Sequence, residues 1–176
     1  KHDGTPADVG LRFIHFQEVT MPTTNNDVLR RLRYTLDLGD SKMISMFVLG
    51  GCTVTRAQVS SWLKREEDPD FIECDDRELA IFLNGLIVAF RGKREGPQPI
   101  PETRLNNNII LRKLKIALNL QAEDMLEIFA LSSVRISKHE LSAFFRKPFH
   151  AQYRDCKAQL FRKFMTGLQS KYRSDA

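Results

Sequence analysis

The chain has 176 residues, of which 42% are hydrophobic and 28% charged, and its formal net charge is +5. This composition allows a hydrophobic core and argues against wholesale disorder. No apolar run reaches the roughly 18 residues that a membrane-spanning helix needs. Cys52, Cys74 and Cys156 form no CxxC pair, which argues against a zinc ribbon or a disulfide framework and favours a reducing, cytoplasmic compartment.

The first twenty residues share no pattern with the rest of the chain. They lack the basic start and apolar stretch of a signal peptide. Met21 is a plausible natural start, and the polar residues 22–26 follow it. We therefore predict that residues 1–20 are an added or upstream segment outside the fold.

From Asn25 onward the chain repeats itself at a fixed spacing. When the sequence is laid on itself so that Asn25 meets Asn107, residues 25–91 lie on residues 107–173 without a gap, and 16 of the 67 pairs are identical. An internal duplication of this kind indicates two copies of one structural unit. We predict repeat one at residues 21–92, a proline-rich linker at 93–105, and repeat two at 106–176.

Apolar spacing predicts four helices in each repeat and no strand, so the predicted fold is all-α. The core positions of the four helices are Leu29, Leu32 and Leu36; Met43, Met46 and Phe47; Val59, Trp62 and Leu63; and Leu79, Phe82, Leu83 and Leu86, with their mates at the equivalent positions of repeat two.

Signals for helix ends are also duplicated. Thr55 with Gln58, and Ser137 with Glu140, have capping-box spacing at the start of the third helix of each repeat. Asp40 and Asp75 are predicted N-caps for helices two and four of repeat one. Gly50-Gly51 would end helix two. Repeat two has Ser132-Ser133 there, so a different turn is predicted.

These repeated stretches resemble the YehS-like family, uncharacterised bacterial proteins defined by a domain of unknown function. The stretches that carry the resemblance are residues 25–38 (NNDVLRRLRYTLDL) and 62–69 (WLKREEDP), then 105–114 (LNNNIILRKL) and 145–148 (FRKP). The resemblance covers about residues 25–173. It implies a tandem helical domain, and it implies no catalytic residue.

Charge is divided unevenly between the repeats. Residues 21–92 hold 9 basic and 11 acidic residues, whereas residues 93–176 hold 16 basic and 8 acidic residues. One interpretation is that the acidic and basic repeats complement each other, within one chain or between chains. The other is that repeat two presents a basic surface to an anionic polymer, DNA or RNA.

The second and third helices of each repeat are similar to a helix-turn-helix, although the connection between them is longer than in a compact motif. The predicted contacts for an anion or a nucleic acid all lie in repeat two: Arg112, Lys113, Lys115, His139, Arg146, Lys147, His150, Tyr153 and Arg154. The same helix pattern is also typical of any capped amphipathic helix.

No catalytic, metal-binding or cofactor-binding residue is predicted. Cys156 with His150 is the one conceivable nucleophile pair, but Cys74, the repeat mate of Cys156, has no histidine nearby, so packing is favoured for both cysteines. His139-Glu140 lacks a second zinc-binding histidine, because Ala143 stands in its place. Asn106-Asn107-Asn108 is interpreted as a helix cap. The sequence thus favours a non-enzymatic cytoplasmic binding protein, with a protein-interaction or self-association module as the alternative.

Overall fold

The computed structural model describes residues 23–173, and within that range the chain forms helices and no strand. The prediction about residues 1–20 lies outside the described residues. The helices are α1 (Asn25–Thr35), α2 (Asp40–Leu49), α3 (Arg56–Leu63), α4 (Asp76–Arg91), α5 (Asn107–Ala117), α6 (Ala122–Leu131), α7 (Lys138–Ala143) and α8 (Ala158–Tyr172).

The helix boundaries confirm the duplicated all-α fold. α5 and α6 begin and end at the repeat mates of the residues that bound α1 and α2. α7 and α8 likewise begin at the mates of the first residues of α3 and α4. The main difference is the end of α7, which stops at Ala143, whereas the mate of the last residue of α3 is Phe145. Phe144 therefore lies just beyond the helix, although it remains buried.

Both predicted capping boxes are present. The backbone N–H of Gln58 donates to the Thr55 hydroxyl at 3.1 Å, and the N–H of Glu140 donates to the Ser137 hydroxyl at 3.1 Å. Asp75 caps α4 as predicted. The prediction for Asp40 was wrong, since Gly39 is the N-cap of α2.

The turn that follows α2 was predicted to differ in repeat two, and this was wrong. Gly51 has φ +98°, and its mate Ser133 also has a positive φ, of +62°. The next residue closes the turn in the same way in both repeats, because Cys52 N–H donates to Phe47 O at 2.9 Å and Val134 N–H donates to Phe129 O at 3.0 Å. A single serine in the left-handed region costs little enough that repeat two keeps the turn without glycine.

The core of each repeat forms where its second helix crosses its fourth. α2 packs on α4, and α6 packs on α8. Gly85 and Gly167 lie at the two crossings, where an added Cβ would come within 1.6 Å of Met46 O and 1.8 Å of Ile128 O. Beside each crossing a pair of phenylalanine rings packs with centroids 5.3 Å apart, Phe47 with Phe82 and Phe129 with Phe164.

The two repeats pack on each other with approximate two-fold symmetry. α4 contacts α5, and the equivalent contact joins α8 to α1. Lys113 donates to Asn84 Oδ1 at 2.5 Å, and their mates make the corresponding contact, Arg31 to Thr166 Oγ1 at 3.4 Å. Such reciprocal contacts are those of a symmetric homodimer interface, here formed within one chain.

Candidate anion-binding surface of the second repeat

A buried asparagine holds the loop that joins α7 to α8. Asn108 donates to Phe144 O at 3.1 Å and to Arg154 O at 2.8 Å, and its Oδ1 accepts from Cys156 N–H at 2.9 Å. These three hydrogen bonds fix residues 144–156 against the first turn of α5.

Repeat one contains the same device, in which Asn26 bonds to Trp62 O, Ile72 O and Cys74 N–H. The interpretation of Asn106-Asn107-Asn108 as a helix cap was correct only for Asn106, which accepts from Ile109 N–H at 2.9 Å. The asparagine pair that recurs at both repeat positions was the signal that could have revealed the clamp.

The arginine on the first helix of each repeat has a different ionic environment. In repeat one Arg30 pairs with Asp27. In repeat two the mate of Asp27 is Ile109, so Arg112 lacks this carboxylate partner. Both arginines donate to a backbone carbonyl at 2.6 Å, Arg30 to Lys64 O and Arg112 to Phe145 O, but Arg112 stays exposed.

A second basic position, Lys64 in repeat one and Arg146 in repeat two, also has carboxylate partners only in repeat one. Lys64 pairs with Asp70 at 2.9 Å and Asp68 at 3.5 Å, and its hydrogen bond to Asp70 raises the pKa of Lys64. In repeat two the corresponding residues are Arg146, Gln152 and His150, so the two carboxylates are absent. Among the described residues Arg146 makes no ion pair, and its Nε is buried without a hydrogen-bond partner.

The loop between α7 and α8 adds exposed cations and one aromatic ring. Lys147, His150 and Arg154 are exposed, and the Phe149 side chain is fully exposed at 102%. Among the described residues, Lys147 and Arg154 have no carboxylate within ion-pair distance. We call Arg112, Arg146, Lys147, Phe149, His150 and Arg154 the basic loop surface.

Tyr153 lies half-buried beside this surface. Burial raises the pKa of Tyr153, and so does a hydrogen bond to Asp155. The ring of Tyr153 lines the same cleft as Arg112 and Arg146. The structure thus brings together six of the nine predicted contact residues, namely Arg112, Arg146, Lys147, His150, Tyr153 and Arg154.

Lys113 was predicted to contact an anion or a nucleic acid, but the structure places it outside this surface. Its side chain is 9% exposed, lies 3.0 Å from the carboxylate of Glu102 and donates to Asn84. An ammonium group with these partners, packed between the repeats, serves the interface and is not available to a polymer.

Two further predicted contacts are not members of the basic loop surface, although Lys115 lines a pocket with Phe145 and Arg146. Lys115 is half-buried, with its ammonium 5.9 Å from the centre of the Phe145 ring. His139 is exposed in the first turn of α7, and within the described residues no hydrogen bond or ion pair joins its side chain to the loop. Neither residue is needed to build the basic loop surface.

The helices that resemble a helix-turn-helix are short. α7 has 6 residues and α3 has 8. A six-residue helix is only about 9 Å long. It offers a major groove few side chains, so the basic loop is the better-formed candidate contact.

Cys156 is badly placed for nucleophilic chemistry. It is 3% exposed, and burial raises the pKa of its thiol to about 12. The thiol therefore stays protonated at neutral pH, whereas a reactive cysteine needs a lowered pKa. Cys74 is buried to the same degree at the equivalent position, which confirms that the two cysteines pack.

Residues 23–173 contain neither a membrane-spanning helix nor a metal site. No helix in this range is both long and apolar enough to cross a membrane. The range also contains no group of three or more His, Cys, Asp or Glu side chains arranged to hold a metal ion.

The duplicated unit corresponds to a known family. A family model described as "Protein of unknown function (DUF1456)" matches residues 25–92 and again residues 107–174. The chain belongs to this family. It is 40% identical over 148 residues to "Uncharacterized protein YehS" of Escherichia coli (strain K12), an alignment that covers 84% of this chain and 95% of that relative.

These matches confirm the resemblance to the YehS-like family. No solved structure matches the chain. Because the family and this relative are described as uncharacterised, they assign no role to any residue here.

Proposed function

We propose that this protein is a non-enzymatic cytoplasmic protein that binds single-stranded nucleic acid on the basic loop surface of repeat two. The observation that carries the proposal is that two arginines of repeat two lack the carboxylate partners that their mates have in repeat one. Arg112 and Arg146 occupy positions whose mates, Arg30 and Lys64, are neutralised by aspartates. Cations without a carboxylate partner can neutralise phosphates and release counterions.

The exposed ring of Phe149 favours a single strand over a duplex. Unpaired bases stack on aromatic side chains without regard to sequence, and neighbouring cations follow the phosphate backbone. Phe149 lies close in the chain to Lys147 and Arg154, in a loop that is fixed by the Asn108 hydrogen bonds. The mate of Phe149 in repeat one is Glu67, which would repel a phosphate.

Three free cysteines accord with a reducing compartment. The protonated, buried Cys156 and the exposed His150 give no support to a catalytic role. These features support the cytoplasmic and non-enzymatic parts of the proposal.

The proposal is tested by fluorescence anisotropy with a labelled single-stranded oligonucleotide. Binding is expected at low salt and should weaken steeply as salt is added. Phe149→Ala should weaken binding by about 1–3 kcal/mol through the loss of one stacked base. The repeat mate supplies the control, since Glu67→Ala should leave the affinity unchanged or slightly improve it.

Absence of binding to single-stranded DNA and RNA at low salt would contradict the proposal. Equal losses from Phe149→Ala and Glu67→Ala would contradict the assignment to repeat two.

The second candidate function is self-association or docking to another protein. It is favoured by the exposed acidic residues Glu66, Glu67 and Asp70, which occupy in repeat one the loop that is basic in repeat two. The acidic loop of one chain would then meet the basic loop of the next, in a head-to-tail contact. Sedimentation velocity distinguishes the two functions, since salt-sensitive oligomers without nucleic-acid binding would support docking.

A further inference from the structure

A cleft of about 320 Å³ lies between the two repeats, beneath the linker that joins them. Its walls come from α4, α5, the linker and the loop that follows α7. Most of the wall is apolar, including Ile87, Ile109, Phe144 and Pro148. Its volume is in the range of pockets that hold small molecules.

The polar groups of this cleft have unmet hydrogen-bonding capacity. Asn84 is 7% exposed, and Lys113 donates to its Oδ1, so this contact fixes the orientation of the amide. Its Nδ2 is buried and has no partner among the described residues. The Nε of Arg146, which lines the same cleft, is also buried without a partner. Glu102 Oε2 in the same cleft is also buried without a hydrogen-bond partner, although it lies 3.0 Å from Lys113 Nζ. Buried donors are rarely left unpaired in proteins, so Asn84 Nδ2 and Arg146 Nε favour a bound acceptor.

The charge of the cleft is positive. Arg112, Lys113 and Arg146 line it, against the single carboxylate of Glu102. Glu102 lies 3.0 Å from Lys113 and neutralises it. The charges of Arg112 and Arg146 remain uncompensated within the described residues.

The equivalent cleft on the other side of the pseudo-two-fold axis provides a comparison. It is lined by Arg30, Arg31, Tyr34 and Gln169, the mates of Arg112, Lys113, Ile116 and Ile87. Arg65 is the third arginine of this cleft. Three acidic residues, Asp27, Glu66 and Glu67, balance the three positive charges. The second cleft has Ile109 and Pro148 at the positions of Asp27 and Glu66, so its walls are apolar where the first cleft is acidic.

We infer that the second cleft binds a small organic anion, a carboxylate or a phosphate ester on an apolar or aromatic body. The anionic oxygens accept from Arg146 Nε and Asn84 Nδ2 under the field of Arg112. The apolar body fills the space between Ile87, Ile109 and Phe144. The cleft shares Arg112 and Arg146 with the basic loop surface, whereas Asn84 lies in the repeat interface and outside that surface. Asn84→Asp therefore separates anion binding in the cleft from nucleic-acid binding on the loop.

The test is a ligand titration of the full chain, monitored by ¹H–¹⁵N NMR. The probes are benzoate and phenyl phosphate, with benzamide and phenol as their uncharged counterparts. Saturable shifts are expected at the Asn84 side-chain amide and around residues 109–116, with the anions binding at least about tenfold more tightly than their uncharged counterparts. The first cleft, reported by Arg31 and Gln169, is the internal control and should not shift.

Two variants test the site itself. Ile109→Asp installs the carboxylate that repeat one has at Asp27, where it pairs with Arg30, and should reduce anion affinity at least about tenfold. An aspartate in the first turn of a helix is favourable, so the fold should tolerate this change. Asn84→Asp keeps the acceptor for Lys113, removes the unpartnered donor and should also abolish binding.

Anion-selective binding that both variants remove supports the inference. The absence of any saturable shift would overturn it. Equal binding of benzoate and benzamide, equal shifts in the two clefts, or unchanged binding in folded Ile109→Asp and Asn84→Asp would overturn it as well.

Discussion

At the scale of single residues, two asparagines explain how loops with different sequences keep one shape. Asn26 and Asn108 each satisfy two carbonyls and one N–H in the segment from the end of the third helix to the start of the fourth. All their partners are backbone groups, so side chains in the loop can change without loss of the clamp. Repeat one places acids there and repeat two places cations.

We predict that Asn108→Ala lowers the free energy of unfolding by about 2–4 kcal/mol, because three buried backbone groups lose their partners. Urea denaturation measures the change. Asn106→Ala is the control and should cost only about 1 kcal/mol, the value of a helix cap. Similar losses from both variants would show that Asn108 does no more than a cap.

The buried thiols predict a dependence of stability on pH. Burial raises the pKa of Cys156 to about 12 from an ordinary value of 9.0, and the pKa of Cys74 is raised too. A raised pKa favours the protonated thiol in the folded state. This contribution to stability is therefore complete below pH 9 and is lost as pH rises towards 12.

The unfolding free energy should consequently fall between about pH 9 and pH 10.5 by more in the wild type than in a Cys74→Ala/Cys156→Ala variant. Chemical denaturation at a series of pH values measures both slopes. Identical slopes in the two proteins would contradict the assignment to the thiols.

At the scale of helices, most of the architecture could be predicted from the sequence because the signals occur twice. The capping boxes of α3 and α7 were predicted correctly because they depend on local sequence spacing. The N-cap of α2 was wrongly placed at Asp40, because Arg33 and Arg56 draw that carboxylate into ion pairs. The prediction of a different turn at Ser133 was wrong, because the backbone hydrogen bonds that close the turn form even without a glycine there.

The close helix crossings predict two sensitive glycines. Gly85→Ala and Gly167→Ala should each destabilise the protein by about 3 kcal/mol, because the new methyl group would meet a backbone carbonyl that cannot move without separating the helices. Thermal unfolding measures this effect. Gly39→Ala is the control, since no atom lies within 4 Å of its added Cβ. A loss no larger at Gly85 than at Gly39 would contradict the crossing geometry.

At the scale of the whole molecule, the duplication places two equivalent clefts and two equivalent loops around a pseudo-two-fold axis. The uneven charge and six of the candidate contact residues could be predicted from the sequence. The role of Lys113 in the interface between the repeats could not be predicted, because its partners Asn84 and Glu102 come from repeat one and the linker. The second cleft was also beyond sequence reasoning, since it exists only once the repeats pack.

Under the proposed function, repeat two contacts nucleic acid and repeat one does not. Lys147 and Arg65 are repeat mates, both exposed and neither within ion-pair distance of a carboxylate in the described residues. Reversal of either charge should therefore cost the fold little. Lys147→Glu and Arg65→Glu are therefore a matched pair. Arg146 and Lys64 would be a poorer pair, because Lys64 forms ion pairs and Arg146 forms none among the described residues.

The most direct test measures the dissociation constants of both variants for one single-stranded oligonucleotide at one low salt concentration. Lys147→Glu is expected to weaken binding at least about tenfold and to reduce its salt dependence, whereas Arg65→Glu should change it less than about twofold. Equal losses from the two variants, or no loss from Lys147→Glu, would contradict the claim.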